Sequence, residues 1–453
     1  MTTDPFAELA AARSRGVARG LYSVCSAHPL VLEAAVRRAA RRGLPVLVEA
    51  TANQVNQSGG YTGLRPADFA SQLNALRERC GVSDELVVFG GDHLGPYPWR
   101  GLPAERAMQE AETLVRAFVA ADARKIHLDA SMALGGDPPG GVSPRLAAER
   151  AVRLCAAAED EHRRTAVQGQ SALPPVYVIG TEVPTPGGLQ ASGEKGPAPT
   201  SGRAFAETLG LHRELFLDAG LAEAWGRVIA VVVQPGVEFD SRGVSPYRRE
   251  RASELSRALG GADGRTFEAH STDYQSDDAL RALVEDGFAI LKVGPALTFA
   301  LREALLGLSE IETRLNRGPR HGGLAETLRH VMQKDARYWE GYYQPGDELA
   351  LLYSPSDRVR YYWEKQEVSA EVTRLLDSLS HADLPPGLLS QFLPRLGGPQ
   401  AALCLAPDAR PRGLVLAAVD AELARYESAC FPQADSDTGS IDVRGTRKER
   451  VNA

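Results

Sequence analysis

The chain predicts an α/β protein: a closed (β/α)8 barrel followed by a C-terminal α-helical extension. Two patterns carry this. Eight short apolar runs alternate with helical stretches over roughly 300 residues, an alternation that makes parallel βα units. Eight such units in that length fit a barrel better than an open doubly wound sheet. A third pattern concerns placement: carboxylates, imidazoles and amides gather at the C-terminal ends of the runs, where barrels of this class carry their active sites.

In order, the expected strands cover 20–25, 45–51, 86–93, 125–130, 176–182, 228–234, 265–270 and 288–294. Helical patterns fall between them at 30–42, 68–80, 105–121, 144–161, 205–219, 249–259 and 277–286. A polar, alanine-rich leader precedes the first strand. Beyond Thr298 the texture turns helical, at 299–315 and 323–335, with aromatic segments at 338–343 and 353–363. The expected division is a barrel over 15–305, a helical extension over 306–432 packed on it, and a polar, disordered tail over 433–453.

Bulk properties narrow the function. The 453 residues are 43% hydrophobic, enough for a large core, and the net charge of -7 with no basic stripe argues against nucleic acid as a partner. Five widely spaced cysteines without a CxxC pair fit a reducing compartment. No secretory leader core and no apolar run of about 18 residues is visible, so a cytoplasmic protein away from the membrane is expected. No Gly-x-Gly-x-x-Gly follows an early strand, which speaks against a nicotinamide domain.

The chemistry centres on Phe89-Gly-Gly-Asp-His-Leu-Gly-Pro96, where an apolar strand ends in a carboxylate beside an imidazole. Packing does not call for Asp92 and His93 there; metal binding or proton transfer does. Strand two carries Glu49, then Asn53, Asn56 and Gln57. Strand four carries His127 and Asp129, strand five ends at Glu182, and strand six ends at Gln234 with Glu238 beyond. Strand seven has Glu268 and His270, then Asp273, and strand eight has Lys292. Residues two apart on a strand share a face, so His127 pairs with Asp129 and Glu268 with His270. Inward charges of this kind are expensive unless paired or metal-bound. His127, midway along its strand, divides evenly between a ligand and a hydrogen-bonded core histidine. Two histidines and a carboxylate from different strands suit a divalent cation such as Zn²⁺ or Mn²⁺. Lys292-Val-Gly294 before a helix starting near Thr298 is the corner where such barrels often bind phosphate.

These segments resemble one family closely. Ser23-Val-Cys-Ser-Ala-His-Pro29, Glu49-Ala-Thr-Ala-Asn-Gln-Val-Asn-Gln57, Gly90-Gly-Asp-His-Leu-Gly-Pro96 and Lys125-Ile-His-Leu-Asp-Ala-Ser131 carry the likeness, with Ile179-Gly-Thr-Glu-Val-Pro184 and Val233-Gln-Pro-Gly-Val-Glu-Phe239. Glu268-Ala-His-Ser-Thr-Asp-Tyr-Gln275, Leu291-Lys-Val-Gly-Pro-Ala-Leu297, Ser356-Asp-Arg358 and Tyr361-Tyr-Trp363 extend it. The family is named for the so-called non-catalytic subunit of class II D-tagatose-bisphosphate aldolase (GatZ/KbaZ). The resemblance implies one of two roles: a partner that stabilises a class II aldolase catalytic subunit, or a ketohexose-phosphate 4-epimerase that acts alone. Class II aldolase subunits carry a comparable Asp-His pair and later histidines. That likeness implies a metal held by His93 and His270, with Glu182 or a neighbouring carboxylate completing its shell. A Pro/Gly-rich insert at 187–202 and the polar tail depart from the family pattern.

Chemistry favours the enzyme. C4 of a 2-ketose is not adjacent to the carbonyl, so its hydrogen is not acidic. Inverting it takes nicotinamide oxidation or cleavage and re-formation of the C3–C4 bond, which needs a divalent cation, an acid/base and a phosphate anchor. Asp92 or Asp129 would move the proton at C4, with Asp273 in reserve and Glu182 near the metal. Glu49, Asn53, Asn56, Gln57 and Gln234 would meet hydroxyls, and Lys292, Arg302 or Arg358 the phosphate. The expected ligand is a ketohexose or its phosphate, and the expected assembly a homo-oligomer.

Overall fold

The computed structural model describes residues 4–138, 142–169, 173–180, 196–315, 322–344, 346–396 and 411–432. Eight parallel strands close on themselves: β1 (Leu21–Val24), β2 (Val46–Thr51), β3 (Val87–Leu94), β4 (Lys125–Leu128), β5 (Val176–Ile179), β6 (Val228–Val232), β7 (Thr266–Ala269) and β8 (Phe288–Val293). Pairing runs in chain order, and β1 meets β8 with Leu21 opposite Ile290. The (β/α)8 barrel expected from the alternation is therefore the fold. A two-stranded turn, Glu238–Phe239 with Val244–Ser245, is added after β6.

The outer helices lay an apolar face on the barrel. In Ala104–Ala120 the buried positions are Ala107, Met108, Ala111, Leu114, Val115, Phe118 and Val119, the spacing of an apolar stripe laid on the sheet. Serine N-caps start three of them, with Ser143, Ser201 and Ser276 accepting from Leu146, Ala204 and Ala279.

Two segments read differently from sequence. The alanine-rich leader forms the helix Pro5–Ser14, with Phe6 and Leu9 buried and Asp4 accepting from the Phe6 amide. The helix after β8 begins at Pro295, not near Thr298, and runs to Arg314. That shift matters for the site below.

The C-terminal helices return to the barrel. Helix Arg412–Cys430 packs against Pro29–Arg42, where Arg38 holds Glu427 in two bonds of 2.9 and 2.8 Å. Gly20 lets this helix come close, since a Cβ there would sit 2.9 Å from Cys430 Sγ. The residues expected to form a disordered tail, 433–453, lie outside the described residues. No described helix is long and apolar enough to cross a membrane.

Candidate active site

The site starts with a defect in a strand. On β3, Gly90 and Gly91 face Lys125 and Ile126 of β4, but Leu94 faces Leu128, so three steps on one strand match two on the other. The extra residue is a bulge. It places Asp92 and His93 at the barrel mouth with His93 at φ 49, a left-handed conformation that a non-glycine residue adopts only under constraint. The two glycines permit it. A Cβ on Gly91 would meet Leu94 Cδ1 at 2.4 Å, and one on Gly90 would press on Lys125 O and Glu49 Cγ at 3.1 and 3.2 Å.

Below the mouth lies a closed ionic layer. Lys125 Nζ is 2.7 Å from Glu49 Oε1 and 2.6 Å from Glu268 Oε2, with all three side chains fully buried. Lys292 binds Glu49 Oε2 and sits 2.9 Å from Asp92 Oδ1 and 3.7 Å from Glu268 Oε1. Ser23 donates to Glu49. Burial alone would strip Lys292 of its charge, but Asp92, Glu268 and Glu49 hold its pKa well above the usual value. The same contacts, with the neighbouring histidines, keep Asp92 and Glu268 well below the carboxylate range against burial. Three carboxylates against two ammoniums leave one net negative charge, before any imidazole is counted.

Above that layer three imidazoles converge. The centroids of His93, His127 and His270 are 4.7 to 5.3 Å apart, and donor atoms of Asp92, His93, His127 and His270 all lie within 4.8 Å of one another. Each ring is aimed by a carboxylate. His93 Nδ1 is 2.9 Å from Asp129 Oδ2, His127 Nδ1 is 3.1 Å from Asp92 Oδ1, and His270 Nε2 is 2.9 Å from Glu268 Oε1. The His93 amide also donates to His127 Nδ1 at 3.2 Å. The other ring nitrogen of His127 is Nε2, and neither of these contacts engages it. That atom is buried without a hydrogen-bond partner. A carboxylate behind an imidazole whose other nitrogen is free is the arrangement metal ligands use, so this donor set fits a divalent cation.

The imidazoles differ. Burial works against charge on His93, but Asp92 and Asp129 outweigh it and hold its pKa up at about 9. Burial drives His270 down to about 3, so it is neutral.

The comparisons with known proteins agree on the family. The model for D-tagatose-1,6-bisphosphate aldolase subunit GatZ/KbaZ-like proteins matches residues 6–431. The chain belongs to this family. A D-tagatose 6-phosphate 4-epimerase of Agrobacterium fabrum is 47% identical over 426 residues, covering 93% of this chain and 97% of that protein. A solved structure described as a probable tagatose 6 phosphate kinase from Sinorhizobium meliloti 1021 is 46% identical, with a TM-score of 0.81 over 91% of this chain and all of that one.

The residues singled out from sequence in this family member separate into three groups. His93, His270, Asp92, Asp129, Asp273, Asn53 and Lys292 all line one open cavity at the strand ends. His127, evenly divided between two roles on the sequence, stands with the cluster. Glu182 lies outside the described residues.

The others are elsewhere. Glu49 is in the ionic layer and does not line the cavity. Asn56 spends its side chain on its own loop, donating to Ala52 O and accepting from the Ser58 and Gly60 amides. Gln57 turns outward to Glu110. Gln234 Oε1 accepts from the Gly236 and Val237 amides. Arg302 is buried against Asp357 at 2.8 Å, and Arg358 stacks on Tyr342 with its guanidinium carbon 3.3 Å from the ring centroid.

The phosphate corner is a correction. Because the helix starts at Pro295, its free amides are those of Gly294 and Ala296, and both donate to Asp273 Oδ1, at 3.0 and 2.7 Å. A carboxylate already fills the place where the helix end would hold an anion. Lys292, expected at that corner, is engaged by three carboxylates. Sequence reasoning missed Gln54, Tyr61, Arg360 and Tyr361, which line the cavity. The aromatic run 338–363 was a visible signal, but nothing in it distinguishes Arg360 from Arg358.

Proposed function

We propose that the protein is a D-tagatose 6-phosphate 4-epimerase that inverts C4 by opening and re-forming the C3–C4 bond. The observation that carries this reading is the three-histidine, one-aspartate cluster, in which His127 Nε2 is buried without a hydrogen-bond partner. It is joined by the name of the relative that is 47% identical. An aldolase subunit without turnover has no use for this cluster, because buried unpartnered donors cost stability.

Asp92, His93, His127 and His270 would hold the cation, Zn²⁺ or Mn²⁺. When bound it supplies positive charge for the C2 oxygen of the ketose as the C3–C4 bond opens. Asp129 and Glu268 fix the orientation of His93 and His270. The proton on the C4 hydroxyl needs a group that titrates near neutrality. Asp129 is poor at this: His93 and Ser131 outweigh burial and hold it well below the usual carboxylate range. Asp92 is held down likewise. Asp273 differs, since burial pushes its carboxyl up to about 6 against the pull of two amides. We assign it the proton transfer.

Asp273 takes the C4 hydroxyl proton as the C3–C4 bond breaks, and the bonding pair stays with the C1–C3 fragment. C4 becomes the aldehyde of the phosphorylated fragment. Rotation about C4–C5 presents its other face, the bond re-forms, and Asp273 returns the proton.

The test is turnover by the purified chain alone, followed by ¹³C NMR from D-tagatose 6-phosphate and from D-fructose 6-phosphate. Each should give the other, activity should vanish on exhaustive chelation and return with Mn²⁺ or Zn²⁺, and kcat/KM should fall below about pH 6 as Asp273 gains its proton. Turnover only with an added aldolase subunit would replace this reading by the stabilising-subunit one. ATP consumption with a new phosphate ester would make the reaction phosphoryl transfer.

A further inference from the structure

Among the described residues, charge accounting around the cavity leaves one cation without an acid. Lys292 is shared among Glu49, Asp92 and Glu268, and Arg302 belongs to Asp357. Arg360 lines the cavity, yet among the described residues it has no ion-paired carboxylate. Its Nη1 donates to the carbonyls of Ser356 and Asp357, and its Nη2 donates to Tyr361 Oη at 3.2 Å. A guanidinium has five N–H donors, so two remain open.

The fold has fixed this side chain in advance. Arg360 sits on the short turn Arg358–Tyr361 of the C-terminal extension. Asp357, at φ 45, starts the turn and is tied to the helix Pro295–Arg314 through Thr298 and through Arg302 at 2.8 Å. Arg302, a phosphate candidate from sequence, therefore pins the loop that presents Arg360. The guanidinium lies 4.6 Å from the centroid of the Tyr361 ring, and that ring packs on Tyr61 at 4.7 Å. Tyr361 Oη already accepts from Arg360 and, at 3.5 Å, from Arg358. Its own proton is thereby directed elsewhere.

The helix corner is closed to phosphate by Asp273, and the lysine beside it is consumed. We propose that Arg360 is the anchor for the phosphomonoester dianion of the substrate, with the Tyr61 and Tyr361 hydroxyls beside it. The extension thus supplies the phosphate end of the site and the barrel the carbonyl end. This rests on the epimerase reading for the identity of the ligand, but the anion site can be tested apart from it.

The experiment uses the full chain and its Arg360→Met and Arg360→Lys variants. Inorganic phosphate serves as the binding probe by calorimetry and as a competitive inhibitor, and D-tagatose 6-phosphate as substrate. Losing a charge-assisted bidentate contact should raise KM and weaken phosphate binding by about tenfold or more in Arg360→Met, with kcat changed less than about threefold. Arg360→Lys should recover part of the loss, because charge survives and the fork does not. Mn²⁺ binding should match wild type in both variants, which a fold defect would not allow. Wild-type KM and phosphate affinity in Arg360→Met would overturn the assignment. If wild type does not epimerise, the functional reading falls, and calorimetry with phosphate still decides the arginine.

Discussion

Two layers of the barrel interior sit two residues apart along the same strands and use charge in opposite ways. Glu49, Gly90, Lys125 and Glu268 form the lower row; Thr51, Asp92, His127 and His270 are the residues two steps on. In the lower row every charge has a partner within the protein. In the upper row Asp92 lies 3.1 Å from His127 Nδ1, and His127 Nε2 is buried without a hydrogen-bond partner. A buried network whose charges are all ion-paired is a structural element. An unsaturated one beside it is built for something from outside.

The sharpest way to break this contrast is to remove a donor of the cluster that the upper row builds. His93→Ala should lower kcat by about a thousandfold or more, the several kcal/mol that a cation contributes to developing charge, while the fold remains intact by circular dichroism. Cation titration should lose its high-affinity site. The contrast also fixes a pH dependence. Asp92 and Asp129 raise His93 to about 9, so without metal the ring is protonated at neutral pH and must lose that proton to become a ligand. Cation affinity should therefore rise with pH, by up to about tenfold per unit, and level off above about pH 9. Affinity that is flat between pH 7 and 9 would remove His93 from the donor set.

Breaking the lower row should act on stability instead. Lys125→Met leaves Glu49 and Glu268 facing each other across a space with one ammonium fewer. Removing one member of a buried ion network costs about 3–5 kcal/mol, because the survivors remain buried and uncompensated. Chemical denaturation should show that loss, while protein that stays folded retains its cation site. If Lys125→Met proved as stable as wild type, the lower row would not be the closed framework described here.

The same two rows explain what could be read from sequence. Alternating apolar runs set eight strands, and an Asp-His pair after two glycines marked the centre, because strand periodicity and bulge chemistry are local. Period-two reasoning also joined Glu268 to His270. It could not tell that Glu49 and Lys292 are bonded to each other, 243 positions apart, instead of facing a substrate. Nor could it tell that Asp273 would fill the helix corner, since that depended on the helix starting three residues before Thr298. Arg360 was out of reach for a similar reason. A left-handed turn at Asp357 decides which of two neighbouring arginines faces the cavity, and the aromatic run around it has no period from which to read that.

The smallest effect tests the edge of the contrast, where amides at the strand-two end looked from sequence like hydroxyl-binding groups. Gln57 Nε2 donates to Glu110 O at 3.1 Å and to Glu110 Oε2 at 2.9 Å, tying the loop after β2 to the helix Ala104–Ala120, and the side chain does not line the cavity. Gln57→Ala should therefore cost about 1 kcal/mol of stability, the net worth of such bonds, and leave KM within about twofold. Asn53, which lines the cavity on the same loop, is the control. Substituting it should move KM more than stability, and a Gln57→Ala variant that raised KM as much as Asn53→Ala would place Gln57 back among the groups that meet the sugar.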